Sequence, residues 1–175
     1  VIYLRTLGNC RIADLSDGIK ADNQSATVKL MGQAVLCGGN LAANAERRSA
    51  LFCTGTLYLD GMQLLIQGAP NNAILTNGSF VVGSGNVGAS SSKDVVKCKK
   101  GDFVLFGGNI LLSSSEDKAD GVQAVNFYQQ GGNLDVVVAG AASDGIKTAG
   151  NLCLNGGKMN VVTSGDALFN SKKSD

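Results

Sequence analysis

Lysine recurs at one fixed place in this sequence. Lys20, Lys97 and Lys147 stand fourth in Asp17-Gly-Ile-Lys-Ala, Asp94-Val-Val-Lys-Cys and Asp144-Gly-Ile-Lys-Thr, and Gln123 holds the same place in Asp120-Gly-Val-Gln-Ala. Lys99 and Lys100 follow close behind Lys97. A row of ammonium groups at regular intervals can meet the carboxylates of an acidic polymer, whose charges are periodic too. Two plainer readings stand beside it. Lysines keep a flat sheet soluble and unpaired, and Phe52, Leu75 and Phe169 at the same place in other segments suggest a face partly covered by a cap or loop. Tyr58 and Tyr128 form a second candidate, since aromatic rings stack on sugar faces, although ordinary strand-surface tyrosine accounts for them as well.

Asp17, Asp94, Asp120, Asp144 and Asp166 open the same segments. Their carboxylates could serve a hydrolase or hold calcium, which takes about six to eight oxygens. The Gly-Gly-x-Gly-x-Asp run of calcium β-rolls is missing, and short polar residues at corners commonly bond to neighbouring backbone amides. The corner reading is the simpler one, and no ligand set for a metal can be named. The chain has no histidine, which removes imidazole metal sites and Ser-His or Cys-His nucleophile pairs. Its five cysteines, with no C-x-x-C, make neither a zinc site nor a complete disulfide framework. A formal charge of +1 gives no whole-molecule attraction to nucleic acid or anionic membrane. No apolar run approaches the ~20 residues that span a bilayer.

The elements that position these residues follow from an internal repeat. Seven segments align, starting at Asp17, Ser49, Asn72, Asp94, Asp120, Asp144 and Asp166. The third position is always branched and aliphatic: Ile19, Leu51, Ile74, Val96, Val122, Ile146, Leu168. The fifth is small: Ala21, Cys53, Thr76, Cys98, Ala124, Thr148, Asn170. In a strand alternate side chains face opposite ways, so positions three and five enter the core and position four points out. Each repeat adds a second strand such as Phe103-Val-Leu, a glycine corner such as Gly107-Gly108, and a third strand such as Leu134-Asp-Val-Val-Val. The pattern predicts an all-β, right-handed, single-stranded parallel β-helix with three strands per turn and about seven turns. Residues 1–16 do not match the repeat and are expected to cap it. The β-helix is expected over 17–175. Its first turn, from Asp17 to Ser49, is longer than the rest, and the excess at 38–48 reads as a loop or short helical turn. The chain stops soon after a new repeat begins, which reads as truncation at the C-terminus.

The run Ser143-Asp-Gly-Ile-Lys147, Gly156-Gly-Lys-Met-Asn-Val161 and Ser164-Gly-Asp-Ala167 resembles a family of secreted bacterial β-helical carbohydrate-binding proteins of the polygalacturonate-binding type. The resemblance covers residues 17–175 and is best from Asp94 onward. It implies a non-catalytic module for acidic, pectin-like polysaccharide, placed outside the cell or on its surface, and it associates calcium with the fold. Carbohydrate-binding residues are then expected at Lys20, Lys97, Lys99, Lys100, Gln123 and Lys147. A polysaccharide lyase is the alternative for this fold. Such enzymes set a basic residue, often arginine, against an acidic calcium cluster, whereas Arg5, Arg11, Arg47 and Arg48 all precede the regular repeats. A purely structural or adhesive surface module is the third reading.

Overall fold

The computed structural model describes residues 2–5, 9–13, 26–30, 32–45 and 48–171. Strands come in triplets along the chain. The first two are β1 (Ile2–Arg5), β2 (Asn9–Ala13), β3 (Ala26–Leu30), then β4 (Ala34–Cys37), β5 (Asn40–Asn44), β6 (Ser49–Cys53). Next are β7 (Leu57–Asp60), β8 (Met62–Ala69), β9 (Ile74–Thr76), and β10 (Phe80–Val82), β11 (Gly85–Ser91), β12 (Val96–Cys98). Then follow β13 (Phe103–Leu105), β14 (Asn109–Ser114), β15 (Val122–Ala124), and β16 (Phe127–Gln129), β17 (Asn133–Val138), β18 (Ile146–Thr148). The last are β19 (Leu152–Leu154), β20 (Lys158–Thr163) and β21 (Leu168–Asn170).

The first, second and third members of the triplets form three separate seven-stranded sheets, and every pairing is parallel. This is a three-sided β-helix. Seven strands in a sheet make six steps from strand to strand, so the chain completes about six turns, not the seven expected. A turn closes only when the chain returns to the sheet it left.

The start of the stack differs from the sequence reading. Asp17–Ala21, with Lys20, lies outside the described residues. Beneath β6 runs β3 instead, with Ala26 opposite Ser49, Val28 opposite Leu51 and Lys29 opposite Phe52. The step from Ala26 to Ser49 equals the step from Ser49 to Asn72, so this turn has an ordinary repeat length. The Ala26-Thr-Val-Lys-Leu strand lacks the Asp-Gly signal that draws the alignment to Asp17. Inside the 38–48 stretch, Asn40–Asn44 is strand β5 and pairs with β8. Within 1–16, β1 and β2 pair in parallel with β4 and β5, continuing the sheets.

The interior is built of like residues stacked in columns. Leu51, Ile74, Val96, Val122 and Ile146 are fully buried along the third sheet, as the alternation requires. Phe80, Phe103 and Phe127 form a buried aromatic column in the first. Burying each such side chain contributes about 1.5–3 kcal/mol. Cys53 and Cys98 sit in register on either side of Thr76, both buried and both free thiols. Burial raises both thiols, Cys98 to about 11, so neither is a reactive thiolate at neutral pH. Gln129 faces inward as its register demands; its Nε2 donates to the Lys158 carbonyl at 2.9 Å.

Candidate functional site

The aspartate column shapes one edge of the third sheet. Asp94 Oδ1 accepts the Asp120 amide at 3.1 Å, Asp120 Oδ1 that of Asp144 at 2.9 Å, and Asp144 Oδ1 that of Asp166 at 3.1 Å. Each carboxylate thus stitches its own turn to the next. The second oxygen of each meets a lysine. Lys97 Nζ lies 2.9 Å from Asp94 Oδ2, and Lys147 Nζ lies 3.3 Å from Asp120 and 3.2 Å from Asp144.

This engagement redefines the lysine column. Lys97, Gln123 and Lys147 do follow one another in register on one face, each half-buried. Lys147, however, is held by two carboxylates and lies 5.2 Å from the Phe169 ring centroid. Burial lowers the pKa of Lys147, but its bonds to Asp144 and Asp120 more than offset that and raise it overall. Phe52 and Leu75, in the same outward column, are buried against each other. Lys99 and Lys100 lie exposed at the corner after β12, with Lys99 Nζ 5.9 Å from the Phe52 ring centroid. Tyr58 and Tyr128 share an outward column of the first sheet, but Val81 and Val104 stand between them, so the two rings are not adjacent.

The same engagement bears on calcium. Both oxygens of Asp94, Asp120 and Asp144 already have protein partners, and among the described residues no three His, Cys, Asp or Glu side chains group as metal ligands. The column does not fit a hard cation that needs several free oxygens.

Asp120 is the most deeply buried of the three, and desolvation raises its pKa despite the Asp144 amide and Lys147, which lower it. A carboxyl with a folded pKa above its unfolded one weakens the fold at neutral pH. That cost disappears as pH falls through the folded value, because the native state takes up the proton first. Asp120→Asn keeps the acceptor for Asp144 and should match or exceed wild-type stability at pH 7, with any gain vanishing on acidification. Asp120→Ala orphans that amide and should cost about 1–3 kcal/mol. Urea midpoints between pH 4 and 7 check both, and an Asn advantage that grows toward low pH would contradict the assignment.

A concave site lies beside Lys97, where the corner changes length. Only Ser92 and Lys93 join Ser91 to Asp94, whereas residues 115–119 join Ser114 to Asp120. The longer loop and the shorter one line a shared hollow, and the longer one is held in place by the next turn. It is fixed by the Lys118 amide donating to Ala141 O at 2.9 Å and by Asp117 Oδ1 accepting the Ala141 amide at 2.7 Å. Lys118 has a φ of 57°, a left-handed geometry uncommon for lysine.

The resulting hollow is about 550 Å³, lined by Asn71, Asn72, Leu75, Ser92, Lys93, Asp94, Lys97, Lys99, Asp117 and Lys118. Four lysines and two aspartates are among the lining residues, a formal excess of two positive charges, with Lys97 paired to Asp94 at 2.9 Å, and Leu75 is the aliphatic residue among them. Lys97 and Lys99 are the members that the repeat points to. Lys93 and Lys118 escape it because they sit in corners, outside the columns. Their signal in the sequence is the stretch from Asp94 to Asp120, the longest spacing among the regular repeats.

A family model for carbohydrate-binding domain-containing proteins matches residues 9–175. The chain belongs to that family. No curated protein and no solved structure matches it. Membership gives the module a carbohydrate-binding role and a polysaccharide as its partner class. The hollow brings together the aliphatic Leu75, the amide-bearing Asn71 and Asn72, the hydroxyl-bearing Ser92 and the four lysines.

Proposed function

We infer that this chain is a non-catalytic module that holds an acidic, pectin-like polysaccharide on or outside a bacterial cell, seating a uronate carboxylate among Lys93, Lys97, Lys99 and Lys118. The observation that carries the reading is the excess of two positive charges in a hollow of about 550 Å³. A non-catalytic role is supported by the aspartates, whose oxygens are engaged by amides and lysines and offer no free carboxylate pair. Lys147 and Gln123 lie further along the face, with Lys147 already neutralised by its two carboxylates. Lys100 follows Lys99 at the same corner.

Retention on immobilised polygalacturonate tests this. A charge-assisted hydrogen bond contributes about 1.5–3 kcal/mol, so Lys93→Ala with Lys118→Ala should lower affinity roughly 100-fold at low salt. Binding should also fall with ionic strength, since exposed charges are screened over ~8 Å at physiological salt. Lys147→Ala should change affinity little. Undiminished retention by the Lys93/Lys118 double variant would remove the hollow from consideration.

A further inference from the structure

A concavity larger than the lysine hollow lies elsewhere, along the outer face of the second sheet. It is an open groove of about 920 Å³ crossing β11, β14, β17 and β20. One of its walls is a ladder of exposed amides. Asn86 Nδ2 donates to Gln63 Oε1 at 2.6 Å, Asn109 to Asn86 Oδ1 at 2.7 Å, and Asn133 to Asn109 Oδ1 at 2.7 Å. A primary amide has two N–H donors and an oxygen with two lone pairs. Asn86 and Asn109 each give one donor and one acceptor site to the ladder, which leaves one of each for a ligand at these two rungs.

Beside the ladder runs a second outward column: Leu65, Gly88, Leu111, Asp135, Asn160. Leu65 is 46% exposed and Leu111 53%. Gly88 between them has no side chain, so the two leucines border a shallow apolar notch, over whose edge the end of the Leu65 side chain leans, with Cδ1 3.3 Å from where a Gly88 Cβ would stand. The groove carries one carboxylate, Asp135, and one ammonium, Lys158. Its charge balances, unlike that of the lysine hollow.

We propose that this groove is a second carbohydrate site, for a polysaccharide bearing N-acetylated amino sugars. An acetamido group offers one N–H, one carbonyl oxygen and one methyl. These complement the spare acceptor and donor of a rung and the notch at Gly88. Rungs repeat at the strand spacing, ~4.8 Å. In an extended β-1,4-linked chain alternate acetamido groups project to the same side, at a repeat close to two such spacings, so the polymer lies along the helix axis and uses every second rung. The inference rests on the family's carbohydrate role but not on the acidic ligand assigned to the lysine hollow.

Calorimetric titration of the whole chain decides it, with hexamers of N-acetylglucosamine, their de-N-acetylated counterpart and the glucose hexamer. The N-acetylated hexamer should bind at least tenfold more tightly than the other two, with little dependence on salt. Gly88→Leu fills the notch and should abolish that binding. Its melting temperature should stay close to that of the wild type, because the Cβ meets only the flexible end of the Leu65 side chain, at 3.3 Å, which can yield by a few tenths of an ångström, and the outer atoms of the leucine extend into the open groove. Asn109→Ala, which breaks the ladder at an exposed position, should weaken binding at least tenfold. Lys93→Ala with Lys118→Ala should leave it intact while polygalacturonate retention falls. Equal affinity for the glucose hexamer, no binding of the N-acetylated one, unaltered binding by Gly88→Leu, or loss of binding in the lysine variant would each overturn the proposal.

Discussion

Phe103→Ala is expected to lower stability by about 3–5 kcal/mol. Phe103 is fully buried at the centre of the aromatic column. It stacks on Phe127 with ring centroids 5.1 Å apart and planes 4° apart, and meets Phe80 edge-on at 5.7 Å and 68°. Truncation removes both ring contacts and leaves a void that strands locked in parallel register cannot close. Each aromatic pair adds about 0.5–1.5 kcal/mol beyond area burial, so Phe127→Ala, which loses one partner, should cost less. Phe103→Leu refills much of the volume and should fall below either alanine variant in cost. At this chain length 1 kcal/mol corresponds to roughly 2–4 °C. Melting curves of the three variants should therefore rank Phe103→Ala lowest by a clear margin. A Phe103→Ala curve indistinguishable from wild type would mean that the column is not packed as described.

That column is readable in advance because strand geometry converts a repeat in sequence into a contact in space. Phe80, Phe103 and Phe127 stand at matching places in the sequence, and parallel stacking without register shift sets them one above another. The same logic locates Cys53, Thr76 and Cys98 in one inward line and the aspartates at one corner. It fails where the signal is a side-chain type and not a period. Asp17-Gly-Ile-Lys-Ala imitates Asp144-Gly-Ile-Lys-Thr closely, yet the strand beneath β6 is Ala26–Leu30, which has the apolar alternation without the Asp-Gly corner.

The candidate sites are legible only in part, for a related reason. Columns give the direction of a side chain but not its partners. Lys97 and Lys147 point where the alternation sends them, and what they meet is the carboxylate three residues earlier, so much of their charge is compensated within the fold. Concavity comes from differences between turns, which a consensus repeat averages away. The lysine hollow exists because one corner is longer than the one before it. The notch on the second sheet exists because Gly88 interrupts a column occupied on either side by Leu65 and Leu111. Both features are departures from the repeat, and both are where we propose that a ligand is seated.

Gly85→Ala is expected to be the second severe change, and its neighbour supplies the control. Gly85 opens β11 at the glycine corner with a φ of +104°, a conformation that residues with a Cβ rarely adopt. A Cβ at this position would lie 2.6 Å from the Met62 amide nitrogen and would overlap the Met62 carbonyl oxygen. Those atoms belong to the backbone of the preceding turn and cannot rotate aside as a side chain could. Forcing a left-handed geometry on an L-residue costs roughly 1–2 kcal/mol. Separating two hydrogen-bonded turns adds at least as much, for a total loss of about 3–5 kcal/mol. Gly88→Ala, three residues on in the same strand, has ordinary φ and only Leu65 Cδ1 within reach, so it should stay within about 1 kcal/mol of wild type. Urea midpoints of the two variants measured side by side give the comparison. Equal midpoints would show that the corner at Gly85 relaxes freely, and that the close approach of successive turns there contributes little to holding the stack together.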